Sequence, residues 1–264
     1  MDKASSLLGF EAYLKVRCRP GTAKVYMHAL RLWFLYLNGG QPSQKTAQSY
    51  IESLITKKLS SSTVNLRAHA IRRWFKWRGK SIELDYPTSD YYKEPEYLEI
   101  SEVEKVIAVC RTPLERALVI LLFDTGVRIS ELLGIHIDDV DWNRKLISVV
   151  RKGGRESYVN ASDKGLNALK EWLDTRQFNT ERVFGSLEYY PTWRLLKDIG
   201  KRANLNGVNI HPHIFRHSRA IFMLMNGATL HDVQQHLAHK SITTTANIYG
   251  KFKAVDLRER IPGW

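Results

Sequence analysis

Apolar residues recur every three or four positions in four successive stretches of the first eighty residues. SLLGFEAYLKVR is the first. TAKVYMHALRLWFLYLN follows Pro20-Gly21 and closes on Gly39-Gly40, with Thr22 a candidate N-cap and Gly39 a candidate C-cap. PSQKTAQSYIESLITKK and SSSTVNLRAHAIRRWFKWRGK complete a predicted four-helix domain over residues 1–80. The period then breaks. Prolines and mixed charge predict a linker over residues 81–98. From residue 99 ISEVEKVIAVC and LERALVILLFDTGVRISELLG resume helical spacing, and Ser101 with Glu104 reads as a capping box. Between Ile135 and Asn160 the period shortens. LISVV and ESYVN are β-rich runs joined by RKGGR, which predicts a hairpin. After Ser162 the pattern is helical again, with interruptions near Tyr190-Pro191 and at NGVNIHPH. The run Ile221, Phe222, Leu224 and Met225 reads as core. The expected fold is mainly α with a small antiparallel β-sheet, and residues 99–264 form a second domain.

A chain of 264 residues has room for two such cores. No apolar run is long enough to span a membrane, and the first residues lack a secretory h-region, so the expectation is a cytoplasmic protein. The two cysteines, Cys18 and Cys110, read as inert. Charge changes the picture more. The net charge is +13, but residues 1–80 hold 15 Lys and Arg against 3 Asp and Glu, while residues 81–264 hold 25 against 24. A basic domain is the footprint of a polyanion, since each neutralised phosphate releases a counterion. An anionic membrane surface or a merely solvated surface accounts for the charge as well. Arg67, Arg72, Arg73, Lys76 and Arg78, interleaved with Trp74, Phe75 and Trp77, are candidate phosphate contacts.

Four segments carry candidate chemistry: TGVRISEL (125–132), RKGGR (151–155), HPHIFRHSRA (211–220) and LAHKSITTTANIY (237–249). Together they supply arginines, a lysine, histidines and a tyrosine from across more than a hundred residues, and only folding brings them together. In this order they resemble the catalytic boxes of the tyrosine recombinases, the integrase family that includes phage integrases and Xer-type recombinases. The resemblance covers nearly the whole chain. It matches Arg128 to the first catalytic arginine, Glu131 to its acidic support, Lys152 to the catalytic lysine, and His213 with Arg216 to the H-x-x-R pair. It matches His239 to the second histidine and Tyr249 to the nucleophile. Phe215 stands where leucine is common and Ala238 where glycine is common, and neither removes a functional group.

The resemblance implies a SAM-like core-binding domain, a catalytic domain, and strand cleavage through a 3′-phosphotyrosine with no metal, cofactor or ATP. The chemistry suits the residue types. A phenol keeps its proton to pH ~10, so a base or a positive field must help it attack phosphorus. Two guanidiniums offer paired, always-charged donors to the non-bridging oxygens. Lys152, with a titratable ammonium, is the candidate acid for the leaving 5′-oxygen, and Arg151 and Arg155 beside it are candidate DNA contacts. The expected partner is double-stranded DNA carrying a specific site, held by dimers and tetramers in a C-shaped clamp and linked through the C-terminal tail, residues 254–264. That places the protein at the nucleoid.

Other readings stay open at this point. A type IB topoisomerase-like relaxing enzyme would use the same tyrosine, and an idle relative would bind DNA without cutting. The histidines near residues 211–239 admit a zinc set, but no cysteine is near and no ligand motif is visible. Arg128 with Glu131 is, at its plainest, an i,i+3 ion pair worth a few tenths of a kcal/mol. A helix start is an unfavourable place for a cation, however, and that mismatch suggests a task other than helix stability.

Overall fold

The predicted helices of the first eighty residues form in the computed structural model, which describes residues 3–87, 96–151, 154–205 and 207–238. The chain divides into two units, residues 1–93 and 94–264. The first contains α1 (Lys3–Arg17), α2 (Pro20–Leu37), α3 (Gln44–Thr56) and α4 (Ser61–Trp77). Each turns one apolar stripe inward. Trp33 and Phe34 of α2 meet Trp74 and Phe75 of α4 with ring centroids 5.5–5.7 Å apart, two of the pairs edge-on. Ala68 and Ala70 let α4 lie close, and Leu30, Ile51 and Ile71 fill the space between. Ile82 and Leu84, in the segment read as linker, also pack on this core, whereas Leu98 packs on the second.

Helix ends differ from the sequence reading in detail. Helix α2 starts at Pro20, because proline at the first position loses no hydrogen bond, and Arg19 rather than Thr22 is its N-cap. It ends one residue before Gly39, with Asn38 in the left-handed region at φ 43°. Ser43 and Thr46 exchange capping bonds at the start of α3.

The second unit is built round α6 (Pro113–Thr125). Residues 117–122 of α6 are all buried, so neighbours surround it rather than lie on one face. Those neighbours include α5 (Ile100–Ala108), α8 (Asp163–Thr175), α9 (Tyr189–Ala203) and α10 (Pro212–Met225). The box at the start of α5 lies two residues earlier than Ser101–Glu104: Glu102 Oε2 accepts the Glu99 N–H at 2.9 Å. Between α6 and α8 come α7 (Ile129–Leu132) and an antiparallel sheet in the order β1 (Val140–Asp141), β2 (Leu146–Val150), β3 (Glu156–Asn160). Ile147 pairs with Val159 and Val149 with Ser157, so Ile147, Val149 and Val159 face the core. Pro191 does not interrupt a helix. It is the third residue of α9, where the missing N–H would have had no intrahelical partner, and the break falls at 176–188 instead. Helix α11 (Leu230–Leu237) is capped by Thr229 and Asp232. Ile221 and Leu224 are core as expected, but Met225 is 66% exposed at the end of α10. No described helix is long and apolar enough to cross a membrane.

Candidate active site

Helix α6 ends on Gly126, whose left-handed backbone (φ 62°) turns the chain into α7. A Cβ there would lie 2.8 Å from Leu237 Cδ2, so the glycine also permits the close approach of α11. Two residues on, Arg128 is the N-cap of α7. Glu131 reaches back to it. Oε2 accepts the Arg128 backbone N–H at 2.9 Å and Oε1 accepts Arg128 Nη1 at 2.7 Å. The carboxylate offsets the cost of a cation at a helix N-terminus. Its side chain is only 4% exposed, whereas Arg128 keeps 33% of its side chain in solvent. Burial pushes the Glu131 carboxyl up, but the Arg128 N–H, its guanidinium and the Arg151 charge outweigh it, and the group stays below the usual carboxylate range.

Arg216 lies one turn into α10 and is 3% exposed. Its Nη1 donates to the Gly126 carbonyl at 2.7 Å and its Nη2 to the Leu237 carbonyl at 2.6 Å. One guanidinium therefore ties the end of α6 to the end of α11. The last carbonyls of a helix lack intrahelical donors and carry partial negative charge, which suits a buried cation. His213 opens α10 after Pro212 and presents an exposed ring. Its pKa is held below the ordinary value, first by desolvation, then by Arg216, His211 and Arg128, with Glu131 opposing. His213, Arg216, Arg128 and Glu131 thus share one electrostatic neighbourhood. His217 and His236 are driven lower, to about 4, first by burial and then by surrounding charges, Arg216 among them. They are neutral imidazoles at physiological pH. Lys152, His239 and Tyr249 lie outside the described residues. Arg151 and Leu237, at the near ends of those segments, are described.

The candidate DNA contacts fall into two kinds. Arg72, Lys76 and Arg78 on or just past α4 are exposed, as is Arg155 beside β3. Arg67 and Arg73 are half-buried. Arg67 donates to the Tyr50 hydroxyl at 3.0 Å, and Arg73 lies over the Tyr13 ring. Arg151 is different. It is 7% exposed and its guanidinium points into the second unit. Nη1 donates to Glu131 Oε2 at 2.8 Å, Nε to Ser157 Oγ at 2.6 Å and Nη2 to the His236 carbonyl at 3.2 Å. Sequence reasoning missed this. The signal was the alternation of β2, which turns Ile147 and Val149 inward and carries Arg151 to the same face. It also missed buried Asp124, whose Oδ2 accepts the Ser162 N–H at 2.6 Å and whose Oδ1 lies 3.9 Å from Arg219. No group of three or more His, Cys, Asp or Glu side chains that could hold a metal occurs among the described residues.

Residues 96–254 match the model of the phage integrase family. Among curated relatives, tyrosine recombinase XerA of Thermococcus onnurineus (strain NA1) is 30% identical over 95% of this chain and 92% of its own length. Among solved structures, the XerH site-specific recombinase bound to its difH substrate superposes with a TM-score of 0.73 at 19% identity, covering 97% of this chain and 84% of that one. The Tn1549 transposon integrase in complex with transposon right end DNA gives a TM-score of 0.75 at 18% identity, covering 96% and 98%.

Proposed function

The chain belongs to the phage integrase family and is a site-specific tyrosine recombinase, a DNA strand transferase; from that premise we propose which of its residues carry the reaction. Arg128 and Arg216 clamp the two non-bridging oxygens of one backbone phosphate. The Tyr249 hydroxyl attacks the phosphorus, the P–O5′ bond breaks, and the chain is left joined to the 3′-phosphate. Lys152 gives its proton to the departing 5′-oxygen. His213 and His239 donate to the phosphate or relay the proton of Tyr249. Attack by a second strand's 5′-hydroxyl reverses the steps and needs no ATP, because the phosphotyrosine keeps the energy of the broken diester.

The observation that carries this reading is the Arg216 bridge. The same guanidinium holds Gly126, two residues before Arg128, and Leu237, two residues before His239. Three of the four boxes are thereby tied together by two hydrogen bonds. Relatives named as recombinases along almost the full chain favour exchange between sites over relaxation of supercoils. Double-stranded DNA is the partner, bound as dimers and tetramers at the nucleoid, with residues 254–264 linking protomers. Arg72, Lys76, Arg78 and Arg155 track its phosphates.

The test uses a site selected from a randomised duplex pool with a Tyr249→Phe variant. A duplex of that site, nicked beside the scissile phosphate, should trap the wild-type chain covalently and leave Tyr249→Phe untrapped. Trapping through another residue would overturn the assignment. Removing residues 254–264 should leave cleavage of one site intact and weaken assembly of two sites, and unimpaired pairing would remove the tail from the proposal.

A further inference from the structure

Arg151 was a candidate DNA contact by sequence, and its surroundings are those of an interior group. Its three acceptors come from three different elements: Glu131 from α7, Ser157 from β3 and the His236 carbonyl from the end of α11. A guanidinium has five donors in a fixed plane, so it can hold three partners at set angles, as a lysine ammonium on a flexible stem cannot. The cost of burying the charge lowers its pKa, and the Glu131 carboxylate opposes that. Leucine-sized apolar groups would fill the same space at less desolvation cost. An arginine here is explained by what it holds.

Glu131 is shared. Oε1 accepts Arg128 Nη1, while Oε2 serves the Arg128 N–H and Arg151 Nη1 together. Two cations on one carboxylate leave the trio with a net positive charge. Without Arg151, Glu131 would neutralise Arg128 outright and draw its remaining donors inward. With it, the Arg128 guanidinium keeps one fixed bond to Glu131 and a third of the side chain stays in solvent. The end of α11 is fixed in the same way from two sides, with Arg151 on the His236 carbonyl and Arg216 on that of Leu237.

We propose that Arg151 is a positioning residue for strand cleavage: it holds Glu131, the β2–β3 hairpin and the end of α11 in one geometry, so that Arg128 meets the phosphate with its charge and orientation preserved. This rests on the reading of Arg128 as a phosphate clamp. Misplacing a reacting group by about 1 Å costs on the order of 100-fold in rate.

The test measures covalent trapping by the full chain on the nicked selected duplex at saturating DNA, alongside Kd over a salt series. For Arg151→Met the trapping rate should fall about 30- to 100-fold, while Kd stays within about 2-fold and the salt slope is unchanged. Arg151→Lys, which keeps the charge and loses the fork, should recover only part of the rate. In a Glu131→Ala background Arg151→Met should cost less than about 3-fold, since the acceptor through which it acts on Arg128 is gone. A phosphate contact would behave otherwise, weakening binding and reducing the salt slope by about one. That result, or an undiminished cost in the Glu131→Ala background, overturns the proposal. Should Arg151→Met fail to fold, Ser157→Ala removes only the acceptor of Nε. It should slow trapping about 3- to 10-fold at unchanged Kd, and an unchanged rate would equally overturn the proposal. If Arg128→Ala itself cleaves normally, the clamp reading fails; if Arg128→Ala is inactive and Arg151→Met is normal, only the role of Arg151 fails.

Discussion

The two units handle positive charge in opposite ways. The first carries most of the net excess, with 16 Lys and Arg against 6 Asp and Glu over residues 1–93, and it leaves Arg72, Lys76 and Arg78 in solvent around an apolar, aromatic core. The second is close to neutral, yet it buries Arg151 and Arg216 to 7% and 3% exposure and fixes each on carbonyls or a carboxylate. Solvated charge at a surface is screened beyond about 8–10 Å and attracts any polyanion. Charge held by fixed partners in a water-poor site acts on one place and needs no reorganisation when negative charge develops there. On the proposed reading, affinity belongs to the first arrangement and chemistry to the second.

The largest break in that comparison should come from Arg216→Ala. It removes the proposed clamp group and leaves the Gly126 and Leu237 carbonyls without this donor. Covalent trapping should drop by about 1,000-fold or more, and stability by roughly 1–3 kcal/mol. Arg216→Lys should recover part of the stability and little of the trapping, because one ammonium can reach one carbonyl but cannot span both in the orientation the fork allows. A lysine variant that cleaves at the wild-type rate would show that charge alone, however held, is enough.

The packing contrast can be sharpened with two glycines. Gly165, in the first turn of α8, lies so close to Asp124 that a Cβ would fall 2.3 Å from its Oδ2. That oxygen is fixed by the Ser162 N–H, so it cannot retreat. Gly165→Ala should destabilise by roughly 1–3 kcal/mol in urea melts. Gly21, in the first turn of α2, has nothing within 4 Å of a new Cβ, and Gly21→Ala should be neutral or stabilise by up to ~1 kcal/mol. Equal effects at the two sites would mean that the second unit relaxes as freely as the first.

How much of this was legible depended on the range of the interaction. Strands β2 and β3 were read at their observed bounds, because alternation and the glycine pair are local signals. Helices were read by period, but their caps slipped by one to three residues where Pro20, Asn38 and Glu102 settled the end. Pro191 was misread as a break because its cost depends on its place in the helix. Arg128 was marked as odd by its position at a helix start, and the reason, Glu131, was three residues away. The partners of Arg151 lie 6, 20 and 85 residues off, and no local pattern pairs them. The neutral state of His217 and His236 likewise comes from burial that only the fold provides.

Acid should find the second unit through those histidines. With a folded pKa of about 4 against an unfolded value near 6.5, the unfolded chain takes up protons in that window and the folded chain does not. Stability should therefore fall as pH drops from ~6.5 to ~4 and level off below, by on the order of 3 kcal/mol for each histidine. Glu131 adds a loss of its own. Its depressed pKa contributes stability above the unfolded value, and that contribution disappears as pH falls through the folded one. Melting curves at several pH values would check the window. His236→Asn, which keeps a donor for the Thr125 backbone, should flatten part of the slope, and an unaltered slope would assign the effect elsewhere.

The smallest effects are expected on α4, and there the contrast between the units is tested most directly. Arg72 and Lys76 are exposed, and Arg72 donates to the Tyr86 hydroxyl at 3.2 Å. Each alanine replacement should leave the melting midpoint nearly unchanged, since exposed side chains away from special features shift stability by about 0.5 kcal/mol or less. Each should reduce the slope of log Kd against log salt by about one and weaken binding by less than about 10-fold at moderate salt. The two losses should add, because in the proposed role each cation neutralises its own phosphate and neither depends on the other's geometry. Additivity is the signature of solvated charge, and the coupled loss expected for Arg151 with Glu131 is the signature of charge held in place. If Arg72 and Lys76 proved strongly coupled to each other, α4 would have to be a built site as well, and the division of labour between the units would fail.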